Sequence, residues 1–169
     1  MLFRSEGVNP NQIERMKALN MFIAVHPRAT VSGGFLHRAH GDRAFAMPPL
    51  REIQDSGIMW GFGTDAFEVN QYRPFQTLHW AVTGQMVGGT VVNTHTVTRE
   101  QALIAHTRSN AFLVHRENDL GSIQKGRFAD LVVIDRDYLT IPADQIEQIT
   151  PVLTMVGGKV VYDAEIGRA

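Results

Sequence analysis

Asp65 is the residue around which a chemical reading of this sequence can be built. It follows Ile58 to Thr64, an apolar run that reads as a strand, and so stands at a strand's C-terminal end. In folds of parallel strands and helices, ligands gather outside those ends. A carboxylate there can ligate a cation or take a proton as general base. The alternative is that Asp65 caps the turn that follows. His26 closes a second apolar run, Met21 to His26, and is placed to face the same mouth, although a structural imidazole fits that position too. His37 and His40 belong to His37-Arg38-Ala39-His40, inside a stretch without periodicity. Helical metal pairs favour an i, i+4 spacing that these two lack, so they read as solvated loop histidines. His79 and His106 fall within predicted helices, where packing or surface roles are expected. The sequence has no His-x-His and no His-Glu-x-x-His. Gly61-Phe62-Gly63 lacks the further glycine or Lys-Ser/Thr of a phosphate loop, and neither Ser32 nor Ser122 has nucleophile-elbow context.

The elements that must position these residues can be read in turn. Asn9, Pro10 and Gln12 predict a capped helix start, and Ile13, Met16 and Leu19 give its apolar stripe, ending at Asn20. Met21 to His26 is a nearly continuous apolar run, the pattern of a strand buried on both faces of a parallel sheet. Pro27 to Pro48 lacks periodicity and reads as a long loop, of the kind that is either functional or disordered. A helix over Pro49 to Asp55 should stop at Gly57. Phe75, Leu78, Val82 and Met86 share one helical face, broken by Gly88-Gly89. Thr98 to Gln101 is a second capping box, opening a helix expected to run to about His115. Gly121 to Gly126 is turn-rich, Asp130 to Asp135 reads as a strand, and Gly157-Gly158 joins Val152–Val156 to Lys159–Tyr162 as a hairpin. The expected fold is α/β, with βα units over residues 1–118 and a small antiparallel β tail over residues 119–169.

Composition narrows the function classes. The chain has 169 residues, 44% hydrophobic and 20% charged, the balance of one folded domain. Lys+Arg is 16 against 17 Asp+Glu, for a net charge of -1, which argues against a nucleic-acid partner. Cysteine is absent, which removes disulfides, thiolate metal sites and a cysteine nucleophile. No apolar run is long enough to span a membrane, and the start lacks the apolar core of a signal peptide, so a cytoplasmic location is the default expectation.

Several segments carry a resemblance. Gly61-Phe62-Gly63-Thr64-Asp65-Ala66 is similar to the Gly-Ser/Thr-Asp-Ala stretch that ends the last barrel strand of metal-dependent amidohydrolases. Thr98 to Leu103 and Thr107 to Ala111 look like the helix after that strand. Leu120-Gly121-Ser122-Ile123-Gln124-Lys125-Gly126-Arg127-Phe128-Ala129-Asp130-Leu131-Val132-Val133-Ile134-Asp135 resembles the signature with which these enzymes re-enter their small β-sandwich domain. Val152 to Asp163 resembles the closing hairpin. The nearest branch is amidohydrolase family 3, resembled tightly after Leu120 and loosely before Gly57.

The resemblance implies a partial, truncated TIM-barrel segment matching the last three barrel strands, followed by terminal strands of the small domain. It implies metal-assisted hydrolysis of an amide C–N bond, or of a related ester or lactone, in a small-molecule substrate. In the family the aspartate at Asp65 contacts the metal and takes a proton from the attacking water. Of the family's metal-site residues only Asp65 carries over; the His-x-His is missing, and the strand-six histidine falls near Arg4. A catalytic zinc generally needs three protein ligands; His26, His37 and His40 are the candidates for replacement ligands beside Asp65 or for substrate contacts. The alternative is a non-catalytic remnant that serves as an oligomeric assembly subunit. Three parallel strands leave two unpaired edges, so a homo-oligomer is expected in either case.

Overall fold

The cap read at Asn9 opens the first helix by reciprocal hydrogen bonds. In the computed structural model, which describes residues 2–4, 6–66 and 71–165, the Asn9 side chain accepts from the Gln12 N–H at 3.0 Å and Gln12 returns the bond at 2.9 Å. Helix α1 (Pro10–Ala18) follows strand β1 (Leu2–Arg4) and buries Ile13 and Met16. Leu19 stays 69% exposed, so the apolar stripe is narrower than its spacing suggests.

Strands β2 (Phe22–Val25) and β3 (Trp60–Phe62) join β1 in a parallel sheet of order β1-β2-β3. The register sets Arg4 beside Ala24 and Ala24 beside Gly61. Ile23 and Val25 lie opposite Trp60 and Phe62, and all four are buried. The two aromatic rings stack at 5.7 Å. Each such side chain withdrawn from water contributes roughly 1.5–3 kcal/mol. Burial on both faces holds for β3. In β2, Phe22 and Ala24 are only half-buried, so that expectation is met on one face alone.

The expected loop between Pro27 and Pro48 is instead helical. It holds α2 (Ala29–His40) and a 3₁₀ helix over Gly41–Ala46. Its buried positions are small: Ala29, Thr30 and Gly33. A Cβ at Gly33 would stand 2.6 Å from Val92 Cβ, so the glycine lets this helix lie directly on the 85–97 segment. Packing by fit rather than by large apolar residues hid the helix from a periodicity reading.

Helix α3 (Leu50–Ser56) ends at Gly57, as read. Helix α4 (Pro74–Thr83) stops earlier than Gly88-Gly89, at Gly84, whose φ of 70° turns the chain while its N–H donates to the Trp80 carbonyl at 2.7 Å. Met86 therefore lies beyond the helix. The long helix expected after Thr98 is two, α5 (Arg99–His106) and α6 (Arg108–Leu113), broken at Thr107 with φ -120° and ψ -80°. The Thr98 capping box forms as read. The break has a partner: Asn110 Nδ2 donates to the carbonyls of Phe62 and His106, tying α6 to β3.

After these helices come β4 (Leu131–Ile134), β5 (Pro151–Val156) and β6 (Lys159–Asp163), an antiparallel sheet of order β4-β5-β6. Val156 pairs with Lys159 across Gly157 and Gly158, whose φ values of 56° and 79° suit a two-residue hairpin turn. Between β4 and β5, Tyr138, Ile146 and Ile149 are buried in the same core as Trp60 and Trp80. Tyr138 Oη donates to the Arg99 carbonyl, and Arg99 returns a bond to the Tyr138 carbonyl. No helix among the described residues is long and apolar enough to cross a membrane.

Candidate functional site

Three residues follow closely on the ends of the three parallel strands: Glu6 after β1, His26 after β2 and Asp65 after β3. Parallel pairing sets those ends side by side, and the side chains meet. His26 Nδ1 lies 4.0 Å from Asp65 Oδ2, and His26 Nε2 lies 3.6 Å from Glu6 Oε1. The same Glu6 oxygen is 3.4 Å from Arg28 Nε, at the entry to α2. The imidazole is the most enclosed member, its side chain 10% exposed against 37% for Asp65.

Polar atoms at this mouth are buried without being hydrogen-bonded. Among the described residues, Glu6 Oε1, His26 Nδ1 and Arg28 Nε have no hydrogen-bond partner and meet one another only at ion-pair distances. Buried polar groups are rarely left so, and each exception asks for a reason. Asp65 adds a second unusual feature, a positive φ of 50°. Aspartate visits that region more readily than most residues, yet strained backbone collects at functional sites.

The structure separates the remaining histidines from this group. His37 and His40 stand in the last turn of α2, which corrects their reading as loop residues. The His37 ring hydrogen-bonds the Val92 carbonyl through Nε2 at 3.0 Å and meets the Phe45 ring edge-on. His40 is exposed at the helix end. His79 and His106 lie in α4 and α5, as read. His79 is buried beside Glu147, and burial lowers its pKa despite the carboxylate. Burial also lowers that of His106, whose ring packs edge-on to Phe62. His95 forms a close pair with Glu52, Nδ1 to Oε1 at 2.5 Å, which fastens the loop before α5 to α3.

Among the described residues, no group of three or more His, Asp or Glu is arranged to hold a metal ion. Asp65 and His26 are brought together; a third donor is not in place beside them. Sequence reasoning had missed Glu6 and Arg28. The available signal was positional: the short apolar start, Met1 to Phe3, reads as the first strand, and Glu6 stands just past the end of β1 as His26 and Asp65 stand past theirs.

Comparison with known proteins identifies the family and agrees with the mixed α/β fold. Residues 4–162 match the sequence model of the amidohydrolase family. The chain is 25% identical over 156 residues to an N-substituted formamide deformylase of Arthrobacter pascens, covering 90% of this chain and 29% of the relative. It is 27% identical over 141 residues to a 5'-deoxyadenosine deaminase of Methanobrevibacter smithii, covering 83% of this chain and 30% of the relative. An adenosine deaminase of Xanthomonas campestris, solved with bound zinc, superposes with a TM-score of 0.71 at 18% identity, over 96% of this chain and 37% of the other. The chain thus spans under a third of the length of these curated relatives. A family match over nearly the whole chain, joined to an aspartate at the end of a parallel strand, makes this chain a member of the amidohydrolase family, in the branch called family 3.

Proposed function

We propose that this chain takes part in hydrolysis of a C–N bond, in an amide-type small-molecule substrate or a related ester or lactone, with Asp65 removing the proton from the attacking water. The observation that carries this reading is the position of Asp65 at the C-terminal end of β3, with His26 Nδ1 4.0 Å away. The formamide deformylase and the deaminase among its relatives support the bond type.

The family's zinc-bound neighbour supports a divalent metal, zinc by preference, in the complete reaction. This chain's described residues do not fit it unaided, because Asp65 and His26 make two donors where a catalytic zinc generally has three. The steps assigned to this chain are therefore its own. Asp65, 37% exposed, reaches water and accepts its proton; His26, nearly buried, backs the carboxylate.

The test is formate release from an N-substituted formamide by the parent chain, Asp65→Asn and His115→Asn. Asparagine keeps the size of the side chain and removes its ability to accept a proton. General-base assistance is worth about 10²–10⁴-fold, so Asp65→Asn should fall by that factor while His115→Asn matches the parent. His115 is exposed, beyond α6, with a φ of 57° that asparagine tolerates. A folded Asp65→Asn at full rate refutes the assignment.

One observation favours the second reading, an oligomeric assembly subunit. The tail sheet leaves Val132, Val133, Val160 and Val161 between 50% and 60% exposed. A parent chain with no turnover on any amide, ester or lactone offered, yet stably self-associated, would select it.

A further inference from the structure

The start of α4, helix α5 and the tail sheet enclose a cavity of about 540 Å³. Phe75 and Leu78 line it from α4, Leu103 and His106 from α5, and Val132 and Thr154 from the sheet. Cavities of this size hold small molecules, and an apolar wall with a few placed polar groups is their usual form. None of Glu6, His26, Arg28 and Asp65 lines it.

Charge selects among the apolar molecules that could enter. Arg73, just ahead of α4, is the only charged side chain among the described residues of the lining. His106, the other basic residue there, is uncharged at neutral pH, because burial lowers its pKa. Arg73 is exposed at the rim, and its Nη2 donates to the Glu147 carbonyl at 2.8 Å, which holds the guanidinium in place. That carbonyl is neutral, and the Glu147 carboxylate lies beside His79 instead, 3.9 Å from Nδ1. Among the described residues, no acidic side chain forms an ion pair with Arg73. An apolar cavity with one fixed, uncompensated cation is complementary to a molecule with an apolar body and one anionic end. A planar carboxylate matches the guanidinium fork, and Phe75 and Tyr72 on the lining favour an aromatic body.

We infer that this cavity binds an arylalkyl monocarboxylate, with its ring among Phe75, Leu78 and Leu103 and its carboxylate on Arg73. The inference does not depend on the reaction proposed for Asp65.

The experiment is an NMR titration of the whole chain at neutral pH with phenylbutyrate, phenylbutanol and phenylbutylamine, which share one body and differ in charge. Hydrogen bonds to charged groups are the stronger kind, so even at an exposed rim the acid should bind about tenfold tighter than the alcohol. The amine should bind more weakly than either. Arg73→Gln should bring the acid down to the level of the alcohol and leave the alcohol unchanged, while Arg73→Lys keeps most of the difference. Val132→Trp, which fills the cavity from β4, should weaken acid and alcohol alike; if it fails to fold, Thr154→Phe replaces it. Arg38→Gln, a cation lying over Phe35, should change nothing. Equal affinity of the parent for acid and alcohol overturns the proposal, and so does a folded Arg73→Gln that binds the acid as the parent does. Binding indifferent to a folded cavity-filling variant places the molecule elsewhere and overturns it too. A parent that binds none of the three, and whose self-association falls in Val132→Trp, gives the cavity to a second copy of the chain; absence of binding rejects the proposal in either case.

Discussion

Replacing Asn110 with alanine deletes two hydrogen bonds at the strand that ends in the candidate site. Its Nδ2 donates to the Phe62 carbonyl at 2.9 Å and to the His106 carbonyl at 3.0 Å. A typical intramolecular hydrogen bond contributes about 1 kcal/mol net, and a buried acceptor left without a donor costs about 1–3 kcal/mol. Phe62 is only 2% exposed, so its carbonyl has little access to water once the amide is gone. Because Asn110 itself is half-buried, the sum is taken toward its lower end, about 2–3 kcal/mol. With a urea dependence of about 1–3 kcal/mol per molar, the unfolding midpoint should fall by about 1 M. Gly61 supplies the second half of a thermodynamic cycle. A Cβ there would run into Asn110 Oδ1 and would stand 2.9 Å from Leu113 Cδ1. Gly61→Ala should therefore cost roughly 1–3 kcal/mol by overpacking. In the Asn110→Ala background the Oδ1 obstacle is absent, so the double variant should be less damaged than the two single losses added, by about 0.5–2 kcal/mol. Urea unfolding of the four proteins measures this, with exposed Asn118→Ala as control, expected within about 0.5 kcal/mol of the parent. A midpoint for Asn110→Ala that matches the control, or strict additivity in the cycle, would show that α6 is not fastened to β3 in this way.

Three further outcomes are expected. Gly158→Val, at a φ of 79°, should cost about 1–2 kcal/mol and speed hydrogen exchange along β6; unchanged stability would refute the hairpin turn. Burial lowers the pKa of His79 below 6.5, opposed by Glu147 and Asp144, so the folded chain binds that proton less readily than the unfolded one. Its share of stability is then complete above the ordinary value and is lost as pH falls below it, and His79→Gln should lose less stability than the parent between about pH 7.5 and 5.5. Equal losses in urea unfolding would disprove this. Light scattering should return a mass above the 18.8 kDa of one chain, because apolar valines lie exposed on the tail sheet. A mass near one chain across a concentration series would contradict it.

Local chemistry was legible in the sequence wherever one short segment carried the whole signal. The capping boxes at Asn9 and Thr98 need only residues three apart, and both form. The Gly157-Gly158 turn is specified by the two glycines themselves. What escaped reading depends on residues far apart in the chain. Helix α2 is written in small side chains that make sense only against Val92, and the break at Thr107 answers to an asparagine that reaches back to Phe62. At the site, Asp65 and His26 were legible because each closes an apolar run. Glu6 and Arg28 were not, since their pairing joins the turn after β1 to the start of α2.

The mouth nevertheless needs no special loop to assemble it. Adjacent strands lie about 4.8 Å apart, so residues just past neighbouring parallel strand ends start within reach of one another. The observed separations of 3.6 Å and 4.0 Å around His26 follow from that spacing once the register aligns Arg4, Ala24 and Gly61. The sheet thus decides that three side chains meet, and the residue types decide what the meeting can do. Two carboxylates flank one imidazole, and the guanidinium beside the outer carboxylate makes the arrangement asymmetric. Asp65 is the more exposed of the two carboxylates, its side chain 37% exposed against 29% for Glu6.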